Sequence, residues 1–342
     1  MMKSKLFWPI IVLLIILLIN LFFDKSFFSI EVKNGRFTGS LVDILNRGAP
    51  LLLVSIGMTL VIATKGVDLG VGSVIAMAGA VGAMAVSGAN GDGLAPLFLA
   101  IALVIVISVF TGVWNGVLVS RIGIQPIVAT LILMVAGRGL AQLITDGQIM
   151  TVYYDPFKFI GGGYLFMIPF SIFIVGAVLA IAAFLTRKTA LGLFIESVGT
   201  NPEASRLSGL NSKNILLLVY MFSGLCAGIA GLILSSNVAS ADGNNAGLWY
   251  ELDAILAVVI GGTSLNGGRF SLRGTVIGAL IIQSLTTTIY SIGIAPEINL
   301  VVKAVVVLIV CLLQSAEFRK KVFGGFGKKA AIKSKSEGVT LS

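Results

Sequence analysis

The chain has 342 residues, of which 57% are hydrophobic and 11% charged, with a formal net charge of +9 and no histidine. A soluble domain carries about a quarter of its residues as charges, so an ordinary soluble domain is excluded, and the missing histidine removes the commonest metal ligand and general base. The positive charge is expected in loops flanking membrane spans, so nucleic acid is not expected as a partner.

The apolar residues fall in blocks of roughly 20, the length a helix needs to cross a bilayer. The ~10-residue alternating segments of a membrane barrel are absent. The expected fold is all-α, a polytopic membrane protein of about ten spans. The first run, Leu6 to Phe23, follows Lys3 and Lys5; no small-residue cleavage pattern follows it, so it reads as a retained helix rather than a signal peptide. Further runs are expected near 47–64, 73–88, 96–119, 127–144, 164–186, 215–236, 252–261, 274–290 and 298–314. The run at 252–261 is too short to span alone.

With the N-terminus inside, the inner segments carry Lys65, Arg121, Arg187, Lys188, Arg206, Lys213, Arg269 and Arg273, and the C-terminal tail adds more. The outer segments carry Lys25, Lys33, Arg36, Arg47 and Lys158. This asymmetry places both termini in the cytoplasm. Residues 1–316 are expected to form one transmembrane domain, with a cytoplasmic loop at 187–214. Residues 317–342 are expected to form a basic tail that is solvated or touches anionic lipid. Cys226 and Cys311 lie inside apolar runs and are expected to be small core residues, not a disulfide or metal ligands.

Four places interrupt the apolar pattern, and irregular backbone at membrane depth needs protein or a water-filled cavity around it. "IATKGVDLGVG" holds Gly66, Gly70 and Gly72 around Asp68, with Lys65 as a candidate partner. Two readings stand: a gate on a substrate path, or a cytoplasmic turn in which Asp68 caps the next helix. "IGGTSLNGG" puts Thr263, Ser264 and Asn266 among glycines. It lacks the G-K-[ST] ending of a phosphate loop. As a second interruption it suggests an internal repeat around a central path. Arg138 in "GRG" either snorkels or faces the path, and Asn115 either bonds across helices or lines it. Glu251 and Asp253 are expected at the water-solvated outer rim, and Lys303 is expected to snorkel. Gly224, Gly228 and Gly231 are expected to mark close helix packing.

"NPEASRLSGL", Asn201 to Leu210, lies between two spans on the side assigned to the inside. Asn201 can cap a short helix whose first residue is Pro202. Such an exposed helix is either a docking element or a connecting loop.

Glu203, Ala204, Ser205 and Gly209 resemble the E-A-A-x-x-x-G coupling loop of ATP-binding-cassette importer permeases, with serine at the third place. "ATKGVDLGVGS", "QPIVATLILMVAGRGLA" and "ELDAILAVVIGGTSLNGG" resemble, in order, segments of ribose-type sugar permeases, and the similarity covers about residues 40–315. Lys65 for a usual glycine, Gly70 for serine and Arg269 after the second glycine pair depart from that pattern. Within the family, the stretches around Arg138 and Glu251 are most similar to galactofuranose permeases. The resemblance implies a monosaccharide path formed by two permease subunits, identical or not. It also implies two cytoplasmic ATPase subunits that bind ATP and magnesium and press on Glu203–Gly209, and a periplasmic or extracellular sugar-binding protein. No cofactor is expected in this chain, which is not itself expected to be an enzyme. Rival readings are a permease for another small solute, such as a branched-chain amino acid or nucleoside, and an ion-coupled secondary transporter using Asp68 and Lys65.

Overall fold

The structure, a computed structural model, describes residues 6–23, 27–33, 35–89, 93–293 and 296–314. The expected basic tail at 317–342 lies outside them, as does the side chain of Cys311. The chain opens with α1 (Phe7–Phe23), a hairpin of β1 (Glu31–Lys33) and β2 (Arg36–Thr38), and α2 (Ser40–Ala63). An irregular stretch leads to α3 (Val71–Ala85). Next comes α4 (Ala95–Val117), which ends in a π-helical turn (Leu118–Ile122) before α5 (Pro126–Ile144). Beyond β3 (Ile149–Thr151) lie α6 (Asp155–Gly162), a hairpin of β4 (Tyr164–Leu165) and β5 (Ile168–Pro169), and α7 (Phe170–Lys188). Two short helices, α8 (Leu191–Thr200) and α9 (Pro202–Leu207), precede the longest, α10 (Ser212–Val238). After β6 (Ser240–Asp242) come α11 (Tyr250–Ile260), α12 (Leu272–Ser291) and α13 (Pro296–Gln314).

Among the described residues, six helices are long and apolar enough to cross a membrane: α2, α4 with its π turn, α5, α7, α10 and α12. Each falls on an expected apolar run. The run expected from 164 begins as a helix only at Phe170, because Tyr164–Leu165 pairs with Ile168–Pro169 in a hairpin. Proline in the first turn of α4, α5, α6 and α9 suits a position whose N–H has no helical acceptor. The 15 residues of α3 and the 11 of α11 rise only about 22 and 16 Å, short of the ~30 Å hydrocarbon layer.

α2 and α10 form the centre. The C-terminal end of α2 (Leu60, Val61, Ala63) packs on the N-terminal end of α10 (Ile215, Val219, Tyr220), so the two run antiparallel. α10 also lies against α3 and α4. A Cβ on Gly224 would meet the Ser108 carbonyl oxygen and Gly112, and one on Gly231 would meet the Ile75 carbonyl oxygen. Here the expected role of these glycines in close packing is met, because the helix backbones approach directly. α4, α5 and α7 turn large apolar side chains outward, among them Phe98, Phe110, Val135 and Phe184, as a lipid-facing rim requires.

Candidate functional site

The stretch between α2 and α3 folds back into the bundle. Lys65 takes a left-handed backbone, φ 63°, and stays exposed, whereas Asp68 is buried at 3% exposure. Asp68 Oδ1 accepts from Gly70 N at 3.1 Å and from Asn115 Nδ2 at 3.4 Å; Oδ2 accepts from Ser223 Oγ at 2.8 Å. Ser223 lies about 16 Å along α10 from its first residue, by the rise per residue, so the carboxyl group sits deep in the bundle. The Gly70 contact fits a local turn; the Asn115 and Ser223 contacts tie that turn to α4 and α10. The expected Lys65–Asp68 pair does not form. Lys65 Nζ donates instead to the Thr200 carbonyl oxygen at 2.9 Å. The chain reverses between the two residues, and an ammonium at the surface keeps its water. Gly66 faces the Tyr220 hydroxyl and Val61.

Above Asp68, the N-termini of the two short helices meet. Gly72, in the first turn of α3, packs against the Glu251 carboxylate and the Gly247 carbonyl oxygen. Glu251 is in the first turn of α11 and only 4% exposed. This corrects the solvated-rim expectation for Glu251: α11 starts inside the bundle, not at its edge. A carboxylate near the first-turn N–H groups of a helix is electrostatically favoured. Arg138, half-buried on α5, donates from Nη1 to the Ala246 carbonyl oxygen at 2.5 Å and the Gly243 carbonyl oxygen at 3.4 Å. It fastens the non-helical 239–249 segment that leads into α11.

A third group gathers where α2, α8 and the 261–271 loop converge. Gly268 N donates to the Ala63 carbonyl oxygen at 2.9 Å, and Gly267 lies against the Lys65 stem. The two interruptions therefore touch at one end of the bundle. A long helix, a non-helical stretch and a short helix also follow one another at α10, residues 239–249 (which include β6) and α11, as they do at α2, residues 64–70 and α3. Thr263 Oγ1 accepts from Ser271 N at 3.2 Å, and Ser264 Oγ accepts from Asn266 N at 3.3 Å, while Asn266 is exposed. These three shape the loop and lie apart from Asp68.

α9 leaves this end directly. Asn201 Oδ1 accepts from Glu203 N and Ala204 N, both at 3.1 Å, forming the expected cap. Glu203 and Ala204 are exposed, Ser205 is buried with Oγ on the Asn201 carbonyl oxygen at 2.9 Å, and Gly209 ends the turn at φ 85°. Glu203 pairs with Arg206 at 3.0 Å.

Two residues of the Asp68 group, Ser223 and Tyr220, were not singled out from the sequence. Both sit within an ordinary apolar helix, and only the fold brings them to residue 68. Lys303 likewise does not snorkel: its Nζ meets Asp253 Oδ2 at 2.6 Å, which also removes Asp253 from the solvated rim.

Residues 40–311 match the family model described as branched-chain amino acid transport system / permease component. The chain is 50% identical over 328 residues to the galactofuranose transporter permease protein YtfT of Escherichia coli (strain K12), covering 94% of each chain. It is 38% identical to the fructose import permease protein FruF of Bifidobacterium longum (strain NCC 2705), over 99% of this chain and 95% of that one. The ribose import permease protein RbsC of Escherichia coli (strain K12) is 37% identical, over 90% of this chain and 92% of that one. No solved structure matches the chain. Its long apolar helices and this match across most of its length make the chain a multi-pass membrane protein that belongs to the transport-system permease-component family.

Proposed function

We propose that this chain is the permease subunit of an ATP-driven importer, and that it passes a monosaccharide of the galactofuranose type across the bacterial inner membrane. The observation that carries the reading is the 50% identity, over 94% of both chains, to a galactofuranose transporter permease. The broken helices α3 and α11, with polar groups at their buried N-termini, support a path there. Asp68, Asn115, Arg138 and the glycines Gly66, Gly70 and Gly72 belong to this path or its gate. Thr263, Ser264 and Asn266 lie at its inner mouth.

ATP and magnesium are bound by partner ATPase subunits, which dock on the capped helix Asn201–Gly209. Closure of those subunits pushes α9, and through Thr200, Lys65 and the 64–70 stretch it reaches Asp68. A second permease subunit completes the path, and a sugar-binding protein delivers the substrate outside. Residues 1–316 form the permease and 317–342 a basic cytoplasmic tail, so that both termini are cytoplasmic. The test is reconstitution of the chain with its ATPase and binding protein in vesicles. Galactofuranose uptake that needs ATP and exceeds ribose and fructose uptake is expected. Uptake driven by an ion gradient without the ATPase would overturn the reading.

A further inference from the structure

Asp68 presents a physical problem that transport of a neutral sugar leaves unsolved. Its carboxyl group is buried deep in a bundle, and no lysine or arginine among the described residues pairs with it. Three neutral donors hydrogen-bond to it: Gly70 N, Asn115 Nδ2 and Ser223 Oγ. An ionised carboxylate taken out of water without a counter-charge is strongly disfavoured.

A second observation is independent of the first. Two polar atoms beside Asp68 are buried with no hydrogen-bond partner: Asn115 Oδ1 and the Tyr220 hydroxyl. Both residues are at most 1% exposed. Asn115 reaches Asp68 Oδ1 through Nδ2, so its free oxygen belongs to the same amide group that faces the carboxyl group. Tyr220 lies one helical turn before Ser223 on the same face of α10, and its hydroxyl sits over Gly66. Buried polar atoms in native structures have partners, and two oxygens with free lone pairs beside a carboxyl group that lacks a counter-charge are able to coordinate a cation.

We propose that Asp68, Asn115, Ser223 and Tyr220 hold a sodium ion. The donor set is all oxygen, which suits a hard cation. One carboxylate supplies one negative charge, so a monovalent ion leaves the site neutral, whereas a divalent ion would leave a buried positive charge. The 64–70 stretch is unwound, the kind of backbone that coordinates sodium inside membrane proteins. The ion would lock α4, α10 and the 64–70 stretch together, and it is not itself the coupling ion of transport. The site stands whichever sugar the path carries.

The experiment measures the melting temperature of the purified chain in detergent, titrating sodium chloride against N-methylglucamine chloride at constant ionic strength and pH, with potassium as a parallel arm. A saturable rise of several degrees in sodium, smaller in potassium, is expected. Asp68→Asn should abolish the rise. Asn115→Leu, which keeps the carboxylate, should move the sodium midpoint about tenfold higher, so the test survives if the first variant does not fold. Equal melting in sodium and N-methylglucamine would overturn the proposal. A melting temperature that follows pH but ignores sodium would also overturn it, and would assign a bound proton to Asp68 instead. An Asn115→Leu midpoint equal to that of the wild type would remove Asn115 from the site and defeat the geometry proposed.

Discussion

Lys303 Nζ lies 2.6 Å from Asp253 Oδ2, joining α13 to α11 across 50 residues of sequence, with side-chain exposures of 9% and 17%. The pair pins the last helix to the half-length helix whose first turn also holds Glu251. Removing one partner strands the other charge. Lys303→Met should therefore lower stability by about 3 kcal/mol, at the low end for a broken buried pair. The double variant Lys303→Met with Asp253→Leu should recover most of that loss, since a buried pair is often replaceable by apolar side chains. Thermal unfolding of the four proteins in one detergent gives the coupling. Additive losses would mean that the two charges do not sense each other.

α11 and α12 meet backbone to backbone. A Cβ on Gly278 would collide with the Ala257 carbonyl oxygen, and one on Gly274 with the Gly261 carbonyl oxygen. Gly278→Ala must push α12 off α11, and a loss of about 1–3 kcal/mol is expected from such overpacking. Gly139, on α5, has no atom within 4 Å of its would-be Cβ. Gly139→Ala should be neutral or stabilise by about 0.5–1 kcal/mol through helix propensity. Melting temperatures that fall equally in both variants would contradict the packing described.

The spans were legible because a bilayer imposes a length, and α2, α4, α5, α7, α10 and α12 each answer an apolar run. The interruption at Asp68 was legible for the same reason, since charge and glycine break such a run. What Asp68 touches was not. Ser223 lies 155 residues away and Asn115 lies 47 residues away, and neither differs in local pattern from a polar residue bonding across helices. Lys303 misled because a lone lysine near a helix end normally reaches water; its partner Asp253 sits in another helix. Glu251 misled because its depth depends on where the chain re-enters after α10, which hydropathy does not encode. The α9 cap was fully local, and Asn201 with Pro202 announced it.

Lys65 carries two opposed effects. Its left-handed backbone, φ 63°, costs about 1 kcal/mol for a residue with a Cβ. Its Nζ returns part of that through the exposed bond to the Thr200 carbonyl oxygen, at the end of α8, where a cation is favoured. Lys65→Gly removes both and should leave stability within about 0.5 kcal/mol of the wild type, whereas Lys65→Ala keeps the strain and loses the bond, for a loss of about 1 kcal/mol. Chemical unfolding that ranks alanine above glycine would refute the strain argument.

Glu203 is exposed on α9 and bonded to Arg206 within the same helix. Glu203→Lys should leave insertion and melting unchanged, because exposed ion pairs of this kind contribute little. If α9 is the docking element, the variant should hydrolyse ATP in the assembled transporter with at least a severalfold loss of uptake. Paired ATPase and uptake assays decide it; unchanged coupling would return α9 to a connecting loop.

Arg138 bridges α5 to the non-helical segment before α11. A single guanidinium reaches the carbonyl oxygens of both Gly243 and Ala246. Arg138→Ala orphans those two acceptors, and a stability loss of about 1–3 kcal/mol is expected from unmet buried groups. Arg138→Lys keeps the charge but offers a point donor in place of a fixed fork, so it should recover stability in part. Transport separates the remaining roles. If Arg138 only holds the segment, uptake across the three proteins should follow the fraction folded at the assay temperature. If it also faces the sugar, Arg138→Lys should raise the sugar concentration needed for half-maximal uptake at an assay temperature where the protein is fully folded. Uptake kinetics beside melting curves measure both. An Arg138→Ala protein that melts and transports like the wild type would show that the 239–249 segment holds its place without the arginine.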